Sequence, residues 1–492
     1  MSKKEKRRNY AIIVILAVMA IVFLLAENTK QDSSHKAISK QKQDSQIFDL
    51  SKEDTEPKKK RDKNGRVLLK TTSFKSIYHE KVVLSSSVPY QISVDGNVKK
   101  IEKGKRYTFF GSDSSLKKKK VRITPSKDGT LHVVSLRRQE NAPVYRGTLE
   151  IQWNKRGLVL INELPLENYL YAVVSSEMAT HNPLEALKAQ AVCARSYVYS
   201  RLKNKAYPKY DAHLDDSVSY QVYNNVPEDA KSRKAVKETK GKILTYQDKV
   251  ISAYYFSTSW GAVASGKEVW KTKREFPYLK SKLLFEQAKP ASLDYEEAFE
   301  DFIKGIGSKG TYDSHSEWYR WRVTISQKSL SVRADAALQK CYAEDKNSVL
   351  TQTKTGAYRS KPVQSLGKIK RIRVEKREKS GLVTELVLIG KENVVKVCGQ
   401  YHIRRVLAPV YEQVSYNQGK SKVNLTMLPS AAFYIADAST ETKKAFAFIG
   451  GGFGHGTGMS QTAAAEMARN GKNYQQILKY YFNGSKITKK RK

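Results

Sequence analysis

The sequence predicts an α+β fold: a β-rich N-terminal module, then a mixed helix and strand core, behind an N-terminal transmembrane helix. Three observations carry this. Short alternating runs rich in Val, Ile, Tyr and Thr fill residues 65–144. Residues 163–202 show two amphipathic helices joined by a polar break. Beyond them, helices and strands follow one another without regular βαβ alternation, which favours α+β over a parallel α/β sheet. About 430 residues follow the N-terminal segment, enough for two domains with substantial cores.

The first nine residues, MSKKEKRRN, are basic, and Tyr10 to Ala26 are uninterrupted apolar or aromatic side chains. Seventeen residues at about 1.5 Å each cover about 25 Å, close to the hydrocarbon thickness of a bilayer. No small-x-small cleavage site follows, Leu24 and Ala26 being a poor approximation, so residues 1–26 read as a cytoplasmic tail and membrane anchor rather than a cleaved signal. The preceding Lys/Arg cluster places the tail inside and the globular part outside, as a single-pass protein of the cell membrane. Residues 27–64 hold one aromatic, Phe48, among Lys, Gln, Ser, Asp and Glu, and read as a flexible linker.

In the 65–144 module the runs VLLKTT, KVVLSS, YQISVD, YTFF, KKVRITP and LHVVSL are separated by turn signals such as Asp95-Gly96 and Asp128-Gly129. TLEIQW and LVLIN continue the pattern into the 145–488 region. Lys117 to Lys120 read as a solvated loop, with polyanion binding as the functional alternative.

The helical stretch carries the sharpest feature. Leu166, Leu170, Val173 and Val174 step by three and four, and Glu177 continues their inward stripe. A carboxyl there is partly desolvated, which raises its pKa towards the range a general acid needs. After the break at Ala179 to Asn182, Asn182 as N-cap, Pro183 at the first helical position and Glu185 three residues on predict a capping box. Leu184, Leu187, Ala191, Ala194, Val198 and Leu202 form the core stripe of the second helix, flanked by Lys188 and Arg195 reaching towards the loop after Glu177. Two readings stay open: a catalytic acid beside two cations, or a helix-end carboxylate in a salt bridge with Arg195.

A polar loop, Tyr210 to Ala230, follows, then Val250 to Phe256 as a buried strand ending in the hydroxyl-rich turn Ser257, Thr258, Ser259 and Gly261. An acidic helix is expected over Leu293 to Ile306, a strand over Trp318 to Ile325, and a hairpin of 369–374 with 382–389 around Ser380-Gly381. The run Gly450 to Met459, GGGFGHGTGM, fits neither the dinucleotide fingerprint nor a P-loop. Its glycines demand left-handed backbone or close approach, so His455 either lines a groove or satisfies a carbonyl at a tight crossing of backbones. Helices over about 460–469 and 474–482 close the chain.

The net charge of +41 is compatible with a nucleic-acid partner, but no fold signature for one is present, and an exported protein meets wall polymers and anionic lipids first. Three cysteines, Cys193, Cys341 and Cys398, are too few for a disulfide framework, and Cys193 sits between core positions. Eight histidines without HExxH or paired-cysteine spacing predict no metal; His213 with Asp215 and Asp216 reads as a solvated turn. There is no G-x-S-x-G elbow, so Ser257 and Ser259 are substrate hydrogen-bonders or turn caps rather than nucleophiles.

Four stretches, LPLENYLYAVVSSEM, NPLEALKAQAVCARSYVYSRL, YYFSTSWG with VW and PYLKS after it, and GGGFGHGTGMSQTAAAEMARNGKNYQQILKYYFNGSKI, resemble the stage II sporulation protein D / amidase-enhancer (SpoIID/LytB) family over about residues 145 to 487. The resemblance implies a lytic transglycosylase that cuts peptidoglycan between N-acetylmuramic acid and N-acetylglucosamine, leaving a 1,6-anhydro end, with no cofactor. It implies Glu177, in Ser176-Glu177-Met178, as the single acid/base, with Arg195 orienting it or binding substrate. Lys188, Gln221, Ser257, Thr258, Ser259, Gly454, His455 and Gly456 are implied around the groove. Denuded glycan strands are the implied substrate, which points to cooperation with a cell-wall amidase, and engulfment during sporulation is the simplest setting. Some relatives carry a zinc site near the segment matching SYQVY; no cysteine is nearby here, so no metal is carried over. Trp260 stands where a glycine is more usual and is either a sugar-stacking surface or packing. The alternatives are a non-catalytic wall-binding enhancer of an amidase, a charge-driven polyanion scaffold, and a hydrolase using Glu167 or Asp216 as a second carboxylate.

Overall fold

The structure, a computed structural model, describes residues 64–489 apart from 140, 203, 273–274, 285–291, 306–309 and 417–418. The expected anchor over Tyr10 to Ala26 and nearly all of the linker lie outside the described residues. Among the described residues no helix is long and apolar enough to cross a membrane.

The fold is α+β, with strands dominating its first part. A seven-stranded sheet runs from edge to edge through Leu214–Asp215, Asn64–Leu69, Gly157–Pro165, Thr148–Asn154, Val121–Pro125, Tyr90–Val94 and Asn97–Ile101. Its first pair is parallel and the rest are antiparallel. A four-stranded sheet of 107–110, 81–86, 131–133 and 144–145 packs with it. The large sheet draws strands from both sides of residue 144, so the β-rich part and the helices after it share one hydrophobic core. Gly157–Pro165 explains how. In its run GLVLINELP, Leu158 and Leu160 face the main core while Val159 and Ile161 face a smaller cluster with Leu68, Tyr210 and Ala212. A strand covered on both faces has no reason to alternate with polar residues.

Nine helices are described: α1 Leu166–Glu177, α2 Leu184–Arg201, α3 Ala230–Glu238, α4 Gly266–Trp270, α5 Glu296–Lys304, α6 Gln327–Glu344, α7 Gln400–Val406, α8 Gln461–Arg469 and α9 Tyr474–Tyr481. Helix α2 is the hub. Ala186, Leu187, Ala191, Ala194 and Val198 enter the sheet's core, while Ala189, Val192, Cys193 and Tyr197 join a second core with α8 and α9. A single stripe was expected, but α2 is buried on both faces, and its alanines let the neighbours approach closely. A third core lies in the 260–450 region, under a sheet of 421–423, 413–416, 321–326, 445–450 and 433–437 and another built on the hairpin 369–377 and 383–390.

Several expectations need correction. The capping box at α2 does not form: the Asn182 side-chain amide donates to the Ala179 carbonyl at 2.9 Å, and Glu185 instead accepts the Tyr474 N–H at 2.9 Å and Lys188. Glu185 is needed to join α2 to α9. Val250 to Phe256 is no continuous strand, since only Lys249–Val250 and Tyr255–Phe256 pair. His213, Asp215 and Asp216 are buried rather than solvated. The His213 ring accepts the Arg66 N–H, Asp215 accepts the Tyr207 hydroxyl at 2.6 Å, and Asp216 is bound by Arg138 at 2.5 Å.

Arg195, 0 % exposed, is the main polar tie among the helices. Its guanidinium donates twice to Glu167 at the start of α1, both at 2.8 Å, and also to the carbonyls of Val236 and Lys242. Removing one partner of a buried ion pair leaves the other charge uncompensated, at about 3–5 kcal/mol. Arg195→Ala is therefore expected to lower unfolding stability by about that amount in denaturant titration, and an unchanged midpoint would contradict this role.

Candidate active site

Glu177 is the last residue of α1. Met178 leaves the helix in an extended conformation, its N–H closing on the Val174 carbonyl. The chain turns away there because Ala179 to Asn182 cannot continue the apolar stripe. The half-buried Glu177 side chain enters a recess formed by Val222 and Tyr255. The Val222 N–H donates to Oε1 at 2.6 Å, and the Tyr255 hydroxyl donates as well. Burial pushes the Glu177 carboxyl from 4.5 up to about 7, while these two neutral donors pull it back. Among the described residues no cation acts on it.

The donors are themselves held. The Tyr169 hydroxyl donates to Gln221 Oε1 at 3.2 Å, and Gln221 Nε2 donates to the Tyr255 hydroxyl at 3.1 Å, leaving that hydroxyl's proton for Glu177. From the other side Gln461 Nε2 donates to the Glu177 carbonyl at 2.9 Å and to Gln190 Oε1 at 3.3 Å. Ser176 accepts the N–H groups of Asn225 and Val226, next to a cleft lined by Arg146, Asn224, Asn225 and Glu228. Tyr255, Tyr169, Gln461 and Gln190 were missed in the sequence. Tyr169 had a signal, because Tyr169, Val173 and Glu177 step by four along one face.

The flanking cations are elsewhere. Arg195 is bound to Glu167, as above, and Lys188 pairs with Glu185 at 2.7 Å and Glu238 at 2.6 Å. The salt bridge between Glu177 and Arg195 does not exist. Among the described residues no second carboxylate acts on Glu177: Glu167 is held by Arg195 and Asp216 by Arg138.

Trp260, with no exposed surface, is packing and not a sugar platform. Its Nε1 donates to the Ser380 carbonyl at 2.8 Å, and the glycine segment crosses directly over its ring. A Cβ at Gly456, φ +83°, would stand 2.5 Å from that ring, and one at Gly454, φ +116°, 2.9 Å from Phe256. Thr258 and Phe453 exchange backbone hydrogen bonds of 3.1 and 2.8 Å at the crossing. His455 lies among Tyr254, Phe256 and Trp270, accepting the Thr457 N–H at Nδ1. Burial, helped by the Arg404 charge, lowers it to about 4, so it is neutral near pH 7. Ser257 is half-buried, whereas Thr258 and Ser259 are buried, Ser259 donating to Asp313. Among the described residues no cluster of His, Cys, Asp and Glu is arranged to hold a metal.

Comparison with known proteins places this site. Residues 154–246 match the family described as Stage II sporulation protein, and residues 264–458 match a Domain of unknown function (DUF8618). The chain is 26% identical over 329 residues to the amidase enhancer of Bacillus subtilis (strain 168), covering 65% of this chain but only 40% of that protein. It is 27% identical over 347 residues to Stage II sporulation protein D of the same organism, covering 67% and 76%. The Stage II sporulation protein D of Bacillus amyloliquefaciens is also 27% identical, over 342 residues, covering 67% and 75%. Glu177, with Tyr169, Gln190 and residues 221–223, lies inside the segment that matches the Stage II sporulation protein family, whereas Tyr255 and Gln461 lie beyond it, and the chain is similar to stage II sporulation protein D and to the amidase enhancer.

Proposed function

We propose that the protein is a lytic transglycosylase of peptidoglycan glycan strands, acting in the cell-wall remodelling of sporulation, with Glu177 as its acid and base. The observation that carries this reading is a half-buried carboxyl at about 7 that meets only neutral donors. Near neutral pH such a group is present in both forms, as a group that gives a proton and then takes one back must be. One carboxyl suffices if the sugar's own C6 hydroxyl attacks the anomeric carbon. Protonated Glu177 donates to the leaving glycosidic oxygen, and the carboxylate so formed accepts the proton of that hydroxyl, so no water is consumed. Two-carboxylate hydrolysis needs a partner that Glu167 and Asp216 do not supply.

In this reading Tyr255, Gln221 and Val222 orient the carboxyl, and Arg195 acts through Glu167 as a positioning residue. Ser257, the 454–456 loop and the cleft beside Ser176 flank the glycan path. The basic tail and apolar segment 10–26 hold the enzyme at the outer face of the membrane. Similarity to an amidase enhancer supports a second arrangement, in which the chain binds glycan and serves an amidase without cutting.

Products from amidase-denuded peptidoglycan distinguish these. Detergent-solubilised full chain is expected to release 1,6-anhydro-muramic ends visible by mass spectrometry, and Glu177→Gln to reduce them by about 10²–10⁴-fold, the range for losing a general acid. Glycan binding without new ends from either protein would favour the non-catalytic enhancer. The acid role also fixes the pH profile. Because protonated Glu177 starts the reaction, the rate is expected to fall as pH rises through about 7. A rate that climbs through that range would contradict it.

A further inference from the structure

Among the described residues beyond 260, Asp313 is the wholly buried carboxylate, and no step above uses it. It has no exposed surface, and its carboxyl gathers hydroxyls from three separate positions. Ser259 donates through both its hydroxyl and its N–H, Ser460 donates at 2.7 Å, and Thr462 donates from one residue inside α8. Among the described residues no Lys or Arg forms an ion pair with it, and the Tyr481 hydroxyl feels its charge.

What these hydroxyls belong to matters. Ser259 lies three residues after Phe256, and Ser460 is both the end of the strand Met459–Ser460 and the N-cap of α8. The strands Tyr255–Phe256 and Met459–Ser460 form a two-residue parallel pair, Tyr255 opposite Met459 and Phe256 opposite Ser460. So short a pair is marginal by itself. Thr462 strengthens it, donating its N–H to the Ser257 carbonyl at 3.1 Å while its hydroxyl goes to Asp313. The two strands lead to Tyr255 and Gln461, which touch the Glu177 side chain and carbonyl respectively.

We propose that Asp313 is a positioning residue of the Glu177 site, its two carboxyl oxygens clamping Ser259, Ser460 and Thr462 so that Tyr255 and Gln461 close the recess around the acid. This rests on the reading of Glu177 as the acid. A neutral amide cannot reproduce the clamp, because it offers one acceptor oxygen to donors that now share two. Loosening the pair admits water to the recess and weakens the desolvation that raises Glu177.

The test reads Glu177 independently of catalysis. A carboxyl raised on folding makes stability fall as pH rises between its unfolded and folded pKa values. Glu177→Gln removes that loss, so the melting temperature of Glu177→Gln minus that of its parent climbs with pH and levels off at the folded pKa. In full-length chain the plateau is expected to begin near 7. In an Asp313→Asn background it is expected to begin about one pH unit or more lower. A plateau left in place, or moved upward, would overturn the clamp. Should Asp313→Asn not fold, Thr462→Val removes one arm, and the same downward direction is expected; no movement is again the contrary result. Catalysis gives a separate arm: at about pH 8 Asp313→Asn should release anhydro ends about tenfold more slowly, the loss of protonated acid that one unit brings. If the wild type releases none, the transglycosylase reading falls while the plateau still decides for or against Asp313.

Discussion

The site depends on where one guanidinium goes. Arg195 is fully buried on the central helix, where a carboxylate compensates its charge. It takes Glu167, the acid in the first turn of α1, in a two-pronged contact, and uses its remaining donors on the carbonyls of Val236 in α3 and Lys242 just beyond it. Had it reached the other end of α1, its charge would have held Glu177 well below the ordinary carboxylate range. Instead the same interaction that fixes α1 against α2 and α3 leaves Glu177 with an N–H and a phenol. Desolvation then dominates and the carboxyl stays near 7. Fold stability and acid strength are thus set by one choice of partner.

The second half of the site comes from far along the chain. Glycines allow the 450–458 segment to cross Trp260 and Thr258 at distances that side chains would forbid. The crossing brings Met459 against Tyr255 and starts α8 beside α1, where Gln461 reaches the last carbonyl of that helix. His455 contributes a neutral ring within an aromatic pocket, so its part is to fix the loop. Chain ends separated by hundreds of residues meet at one carboxyl, with α2 as the common support.

Much of this was legible in the sequence. The 3.6-residue period of 166–177 and the break after it located Glu177 at an inward helix end, and alternation located most of the strands that precede α1. What failed shares one cause: local patterns say nothing about which distant residue satisfies a polar group. Glu185 looked like a cap and is a tether to Tyr474. Arg195 looked like a neighbour of Glu177 and belongs to Glu167. His213, Asp215 and Asp216 looked solvated, yet Arg66, Arg138 and Tyr207 make their burial possible. Trp260 could stack or pack on its chemistry alone, and only the overlying glycines decide. Asp313 carried no signal, because its hydroxyl partners lie up to 149 residues away.

The central claim is that Glu177 holds a proton near neutral pH, and the most direct measurement is the infrared difference spectrum between the full-length protein and Glu177→Gln as a function of pH. A carboxylic-acid C=O band that belongs to Glu177 and disappears with a midpoint near 7 is the predicted result. A Glu177 already ionised at about pH 5, in the range of an ordinary exposed glutamate, would contradict the account.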